Sequence, residues 1–207
     1  AGVHPDDRET TRSRIMGAKV SGQPFALEYR TIDRSGDVHW VSAQGRCFHD
    51  ALGIPIRFPG AIIDITQEKR RRNMQAALLR LGDEGVEQLG DAVDYSARSL
   101  AIIGETLELG QAGYAAITDD DRYFAVTAQW TDGNSPPIPS SGKIGRIERR
   151  LVDRLTQDGT LVVEDVHLHP ATRDNIEVWQ GLNVAAMIDM AVVEDGRVRI
   201  ILFLFSS

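Results

Sequence analysis

The sequence has 207 residues, with 30 acidic against 23 basic side chains and a formal net charge of −7 at pH 7. Such a length is compatible with two compact units of about 100 residues each. The acidic balance lacks the positive field that nucleic acids or anionic membranes need, and the single cysteine excludes an internal disulfide. No apolar run is long enough for a membrane-spanning helix or placed as in a signal peptide. We therefore expect a soluble, cytoplasmic protein without nucleic-acid contacts or membrane insertion.

The first elements in the chain are a helix and three strands. A proline and two aspartates at residues 5–7 suit the start of a helix over residues 5–20, which Gly22 and Pro24 end. Apolar and polar residues then alternate, and the turns RSGD and DALG separate three antiparallel strands, the last within IPIRFPGAIIDIT. One helix and three strands bury too little for a self-sufficient domain, and the chain opens directly at the helix. The first unit is therefore interpreted as the second half of a domain.

An amphipathic connecting helix is predicted after Thr66. The segment QEKRRRN carries four positive charges against one negative charge. Apolar residues then follow at the spacing of one helical face, namely Met74, Leu78 and Leu81. Gly82 and Gly85 interrupt this stripe, which predicts a break or kink at LGDEG. The stripe resumes in a shifted phase at Val86, Leu89 and Val93.

A second unit begins with a helix from residue 93 to about residue 109. Five strand-like runs follow, namely GYAAIT, YFAVTAQW, TLVVEDV, VAAMIDMAVVE and RVRIILFLF. Turn signals lie between them, and helical patterns occur near residues 144–157 and 171–181. These elements predict a mostly antiparallel sheet with helices beside it, which is an α+β fold. The last run is apolar on both faces, so we expect a further element to cover it.

Four pieces of the first unit resemble the C-terminal half of a PAS domain. They are HPDD, YR at Tyr29–Arg30, DRSGDVHWV and GAIIDIT, in the order and spacing of that family. The resemblance covers residues 1–69, and the family's first two strands and short helices have no counterpart. It implies a partial PAS antiparallel sheet.

The second unit is similar to a GAF domain. The matching pieces are AGYAAI, WTDG, TLVVEDVHLHP and GLNVAAMIDMAVVEDGR. They cover residues 93–207 without the family's last helix, which leaves residues 70–92 as a connecting signalling helix. The whole arrangement resembles the PAS and GAF segments of bacterial sensor histidine kinases, those of the HWE type most closely.

No residue pattern supports catalysis or a metal site. Gly142-Lys143 lacks the other residues of a phosphate-binding loop, and SSGK is interpreted as a flexible loop. His167 and His169 would face one metal together with Asp165 on an extended strand, but a solvated surface loop is the favoured alternative. The sequence requires no cofactor. Trp130, Trp179 and Tyr114 are candidates for lining a small-molecule pocket in the GAF unit, with core packing as the other interpretation.

Signal transduction is the function that the resemblance implies. The chain is predicted to be a non-catalytic sensory fragment whose parent, a two-component histidine kinase, receives a signal through the connecting helix. The candidate coupling residues are Asp64, Thr66, Lys69 and Arg70, with Asp64 expected to pair with Lys69 or with an arginine at 70–72. A second interpretation is that these residues only cap the helix.

Two further hypotheses remain open. One is a GAF regulatory protein that binds a cyclic nucleotide, or a protein of cyclic-di-GMP signalling, although the sequence lacks the Asn-Lys-Phe-Asp-Glu constellation of cyclic-nucleotide GAF domains. The other is homodimerisation. The edge of the strand at 56–66 and the apolar stripe of the connecting helix would both be covered in a dimer.

Overall fold

The computed structural model describes residues 2–87 and 92–207, and the chain divides into two compact units, residues 1–75 and residues 76–207. In each unit, helices lie beside antiparallel strands, which confirms the predicted α+β fold class. The finer division into residues 1–69, 70–92 and 93–207 stays a prediction. Every helix in the described part of the chain is too short or too polar to cross a membrane.

The first unit is built on a four-stranded sheet. Its elements are β1 (Gly2–Val3), a 3-10 helix (Pro5–Asp7), α1 (Arg8–Ser21), β2 (Phe25–Ile32), β3 (Val38–Gly45), β4 (Phe48–His49), β5 (Pro55–Arg57) and β6 (Gly60–Asp64). The sheet order is β1-β2-β3-β6, and all neighbours are antiparallel. Tyr29, Val41 and Ala43 form its small buried core. The predicted helix followed by three strands is confirmed in α1, β2, β3 and β6.

Two details of the first unit differ from the sequence prediction. The chain does not open at the helix, because β1 precedes it and pairs with the end of β2. The run IPIRFPGAIIDIT is not one strand, because β5 pairs with β4 in a separate hairpin and β6 pairs with β3. Pro59 between them has no N–H for a sheet, and a Cβ on Gly60 would lie 2.8 Å from the Gln44 carbonyl oxygen. The backbone therefore changes sheets at Pro59-Gly60.

Helix α2 (Thr66–Glu87) follows β6 directly, as predicted, but without the predicted break at LGDEG. It continues through Gly82 and Gly85, where glycine costs only about 1 kcal/mol relative to alanine. That cost is too small to end a helix of 22 residues rich in helix-forming side chains. The predicted resumption of the stripe involves Leu89 and the side chains of Val86 and Val93, which lie outside the described residues.

The second unit contains a six-stranded antiparallel sheet. Its elements are α3 (Ala92–Leu107), β7 (Gln111–Ile117), β8 (Tyr123–Thr131), β9 (Ser141–Lys143), α4 (Arg146–Asp158), β10 (Thr160–Val163), a 3-10 helix (Arg173–Asn175), α5 (Ile176–Gly181), β11 (Ala186–Glu194) and β12 (Arg197–Ser206). The sheet order is β10-β11-β12-β7-β8-β9. The five predicted strands and the predicted helices are present. The EDGR turn joins β11 to β12 with positive φ at Asp195 and Gly196, as tight hairpins require.

One strand of the second unit was not predicted. SSGK is not a flexible loop, because Ser141–Lys143 forms β9 and pairs with Tyr123–Ala125 at the edge of the sheet. A three-residue strand carries no readable alternation of apolar and polar residues, so the pattern favoured a loop.

The sheet of the second unit has a buried cluster on each face. On one face, α4 and α5 cover a large cluster that includes Leu155, Val163 and Met187. On the other face, α3 covers a smaller cluster around Leu100, Ala112 and Leu204.

Candidate functional site

The first candidate site is the place where the sheet of the first unit meets α2, here named the joint and formed by Glu28, Trp40, Asp64, Thr66 and Lys69. Thr66 is the first residue of α2 and is buried. Its Oγ1 accepts a hydrogen bond from the Trp40 N–H at 2.9 Å and donates to the Trp40 carbonyl at 3.4 Å. The Ile65 N–H also donates to that carbonyl at 2.8 Å. The start of α2 is therefore fastened to the middle of β3.

Asp64 caps this helix start from the end of β6. Its Oδ1 accepts a hydrogen bond from the Thr66 N–H at 2.8 Å, which satisfies one of the donors that a helix start leaves unpaired. The hydrogen bonds from Thr66, helped by His39 nearby, hold the pKa of the Asp64 carboxyl below its ordinary value. The Nδ1 of His39 lies 3.6 Å from Asp64 Oδ2, and among the described residues no lysine or arginine pairs with Asp64, so the expected pairing with Lys69 or an arginine at 70–72 is wrong.

Lys69 instead connects α2 to the strands of the sheet. Its Nζ lies 2.6 Å from Glu28 Oε2 and 4.9 Å from the centroid of the Trp40 ring. A cation over an aromatic face that also pairs with a carboxylate is held from two directions. Arg70, the fourth predicted coupling residue, is exposed on α2. The structure thus brings together Asp64, Thr66 and Lys69 but leaves Arg70 outside the joint.

The contacts at Trp40 extend to the start of α1. The Arg30 guanidinium lies 5.9 Å from the Trp40 ring centroid and 2.7 Å from Asp7 Oδ1. Hydrogen bonds from the Arg30 side chain and backbone lower the pKa of Asp7 to about 2. Sequence reasoning missed Glu28 and Asp7 as partners. The alternation in LEYR places Glu28 and Arg30 on one face of β2. This pattern could have indicated that Glu28 faces the same side of the sheet as Arg30.

The second candidate site is a cavity of about 140 Å³ between the sheet of the second unit and α4. Its walls come from the buried faces of β7, β8, β11 and β12 and from Leu151, Val152 and Leu155 of α4. Every lining side chain is a hydrocarbon except the indole of Trp179 and the carboxyl of Asp189. The site is therefore an apolar chamber with two polar groups.

Asp189 lies in the middle of β11, between Leu161 of β10 and Phe203 of β12. Its side chain is buried, and its Oδ1 has no hydrogen-bond partner among the described residues. Burial raises the pKa of this carboxyl to about 7, because an apolar environment penalises the charged form. Trp179 Nε1 likewise lacks a partner in the described chain. Sequence reasoning missed Asp189, although the alternation in MIDMA places it on the buried face with Met187 and Ala191.

The three predicted pocket residues do not lie together. Trp179 lines the cavity, whereas Tyr114 and Trp130 pack on the opposite face of the sheet, against α3. The packing there is close, because a Cβ on Gly104 of α3 would lie 2.2 Å from the Trp130 ring. Desolvation by burial raises the pKa of Tyr114.

The predicted surface loop at His167 and His169 is a series of turns after β10. The Nδ1 of His169 accepts a hydrogen bond from the Ala171 N–H at 3.2 Å, and Asp165 accepts one from the His167 N–H at 2.7 Å. These side chains order the turn itself. Among residues 2–87 and 92–207, no three His, Cys, Asp or Glu side chains are grouped closely enough to hold a metal ion.

Residues 1–62 match the family model described as the PAS fold. The predicted PAS segment is thereby confirmed.

Two curated relatives are sensors. The chain is 31% identical over 75 residues to a blue-light-activated histidine kinase of Brucella anthropi, a match that covers 36% of this chain and 15% of that protein. It is 29% identical over 73 residues to a methyl sulfide methyltransferase-associated sensor of Methanosarcina acetivorans, covering 35% of this chain and 7% of that protein. The chain thus spans only a small part of either relative's length.

A solved structure shows the fold of the second unit. The phycoerythrobilin-bound GAF domain of a cyanobacterial phytochrome superposes with a TM-score of 0.53 at 13% identity, covering 66% of this chain and 83% of that domain. An identity this low shows the fold alone, which is the GAF fold. The predicted order of a PAS segment followed by a GAF unit is confirmed, and the HWE assignment stays a prediction.

Proposed function

We propose that this chain is the sensory segment of a cytoplasmic, dimeric bacterial histidine kinase, in which α2 relays a change at the PAS sheet towards the GAF unit. Support comes from the sensor relatives and from the joint. The chain contributes sensing and relay, and the phosphotransfer chemistry belongs to other segments of the parent kinase.

The observation that carries the proposal is the double hydrogen bond between the Thr66 hydroxyl and the backbone of Trp40. It ties the first residue of α2 to the centre of the sheet, where Trp40 also touches Arg30 and Lys69. A shift of β3 therefore changes both the backbone partner of Thr66 and the ring under Lys69. Two arrangements of the sheet correspond to two positions of the helix start, and a signal shifts their populations.

The test replaces Thr66 by valine in the full-length protein. Valine keeps the branched shape but removes the hydroxyl, so the Trp40 N–H loses its acceptor inside the unit, at a cost of about 1 to 3 kcal/mol. We expect signal-dependent autophosphorylation to lose most of its amplitude. The matched control is Thr66→Ser, which keeps the hydroxyl and should retain the response.

Hydrogen exchange on the same variants separates relay from mere capping. In Thr66→Val, the Trp40 amide and the Lys69 amide, which donates to the Ile65 carbonyl at 2.9 Å, should exchange faster, while the other amides of β3 stay protected. An unchanged signal response in Thr66→Val, together with faster exchange, would assign the joint a capping role only and overturn the relay.

Homodimerisation is supported by exposed apolar side chains on β6. This edge strand of the sheet leaves Ile62 and Ile63 66% and 58% exposed. An edge with unpaired backbone groups and apolar side chains favours association with a second copy. Light scattering over a concentration series should give twice the monomer mass, and Ile62→Lys should return the monomer.

The cyclic-nucleotide alternative receives no support from the cavity. A cyclic nucleotide brings a negatively charged phosphate, and the described residues of the lining include a carboxyl but no lysine or arginine. Its volume of about 140 Å³ is also close to that of a pocket for a single ring such as benzene.

A further inference from the structure

The cavity of the second unit combines an unpartnered buried carboxyl with aromatic walls. Asp189 is the only ionisable side chain among the described residues of its lining, and Phe124, Trp179, Phe203 and Phe205 contribute rings. Trp179 meets Phe205 edge to face at 6.1 Å, and Phe203 lies 5.1 Å from Phe205, so these rings hold one another in place. The aromatic walls of the cavity are therefore held in position, and its polar carboxyl lies among hydrocarbon side chains.

An unpartnered carboxyl on a buried strand is costly unless something pairs with it. At this position its neighbours across the sheet are Leu161 and Phe203, which offer no hydrogen bond. A hydrocarbon side chain at position 189 would give a folded unit at least as stable as the one with the carboxyl. The feature is explained if a molecule that enters the cavity supplies the missing partner.

We propose that this cavity binds a small organic cation, one ring in size, whose protonated nitrogen pairs with Asp189 and whose apolar body lies against the aromatic walls. A carboxylate in a hydrocarbon pocket selects an ammonium or protonated heterocycle, and the faces of aromatic rings attract the same charge. The proposal concerns a different unit from the joint and does not depend on the relay.

Other occupants fit the lining less well. A metal ion needs several oxygen or nitrogen ligands. Among the described lining residues only the Asp189 carboxyl can be a ligand, because the indole of Trp179 offers a hydrogen-bond donor and no acceptor. An anion would meet the Asp189 carboxyl. A neutral ring without a hydrogen-bond donor would leave Asp189 Oδ1, which has no partner among the described residues, still without one.

The test uses calorimetric titration of the 207-residue chain with two probes of matched shape, benzylamine and benzyl alcohol. Benzylamine is a cation at neutral pH, and benzyl alcohol is its neutral counterpart. We expect benzylamine to bind at least about tenfold more tightly than benzyl alcohol. Equal affinity of the two probes, or no binding of either at millimolar concentration, would overturn the proposal.

Two variants test whether the Asp189 carboxylate is the charge that binds benzylamine. Asp189→Asn keeps the shape of the side chain and should reduce benzylamine affinity at least about tenfold while leaving benzyl alcohol unaffected. Asp153→Asn removes the same charge from the exposed face of α4 and should leave both affinities unchanged. Full retention of benzylamine binding in Asp189→Asn would show that the carboxyl is not the recognition group.

The pH dependence in the unsubstituted chain provides a measurement that requires no variant. Protonation of Asp189 removes the charge that pairs with the cation, so benzylamine affinity should fall by about tenfold for each pH step below 7. No other titratable side chain of the described residues lines the cavity, and Leu151, Val152 and Leu155 are what α4 presents to it. A flat profile between about pH 5 and about pH 7 would contradict pairing at Asp189.

Discussion

The joint and the cavity differ in whether their polar side chains have partners within the chain. At the joint, the Thr66 hydroxyl, the Asp64 carboxylate and the Lys69 ammonium each have a partner within the chain. In the cavity, Asp189 Oδ1 and Trp179 Nε1 have none among the described residues. A satisfied network fixes one arrangement of backbone and side chains, whereas an unsatisfied group is a place for something that the chain does not supply.

The largest expected effect comes from removing the unsatisfied carboxyl. In the folded chain the Asp189 pKa is raised to about 7 from 3.8, so the native state keeps a proton that the unfolded state releases. Stability from this group is therefore complete below about pH 4 and is lost as the pH rises towards 7, by about 3 kcal/mol between about pH 5 and about pH 8. Asp189→Leu should abolish this loss and stabilise the second unit at neutral pH.

Urea unfolding at both pH values, followed by tryptophan fluorescence, measures this difference. If the unsubstituted second unit were equally stable at both pH values, Asp189 would have a partner and the contrast with the joint would disappear. The variant also tests the cavity, because a leucine side chain should occupy part of it.

A smaller effect is expected on the opposite face of the same sheet, where α3 packs against Trp130. Gly104→Ala adds a methyl group 2.2 Å from the Trp130 ring, and overpacking of this kind costs about 1 to 3 kcal/mol. This cost should outweigh the gain of up to about 1 kcal/mol that alanine brings to a helix. The matched control is Gly17→Ala in α1, where a Cβ meets nothing within 4 Å and a modest stabilisation is expected. Thermal unfolding of both variants decides the matter, and a stabilised Gly104→Ala would show that α3 packs loosely.

The smallest effect concerns the carboxylate of Asp7, next to the start of α1. Its pKa is lowered, whereas the pKa of Asp189 is raised. Hydrogen bonds from Arg30 lower the Asp7 pKa to about 2, so its contribution is complete above about pH 4 and is lost as the pH falls towards 2. Water reaches this ion pair, which makes its contribution on the order of 1 kcal/mol. Asp7→Asn should lower the midpoint of unfolding of the first unit at neutral pH. It should make little difference at about pH 2, where Asp7 in the unsubstituted chain is already protonated to a large extent.

Much of this fold follows from local patterns, because alternation and turn residues are properties of short segments. The strands at Phe25–Ile32 and Ala186–Glu194 and the positive-φ turn at Asp195-Gly196 were readable for that reason. The pairing of Gly60–Asp64 with β3 and the pairing of Ser141–Lys143 with β8 join strands that are separated by other segments of the chain. Local patterns therefore did not reveal them.

The candidate sites were predictable to different degrees. Asp64 and Thr66 stand at the visible end of a strand, and their capping role follows from residue type. The partner of Lys69 could not be predicted in this way. Glu28 lies on β2, two strands from β6 in the sheet, and only the folded sheet brings its Oε2 within 2.6 Å of Lys69 Nζ. The alternation in MIDMA predicts a strand and the burial of Asp189, but it carries no information about which groups the buried carboxyl contacts.

The joint is built on the backbone of residue 40, since Thr66 and Ile65 bond to its N–H and carbonyl. Every residue type except proline supplies those two groups. Position 40 is therefore free to change its side chain while the connection survives. Substitutions that change the side chain at position 40 therefore leave the hydrogen bonds between β3 and the start of α2 available, so the Asp-Ile-Thr connection constrains the backbone of this strand more than its sequence.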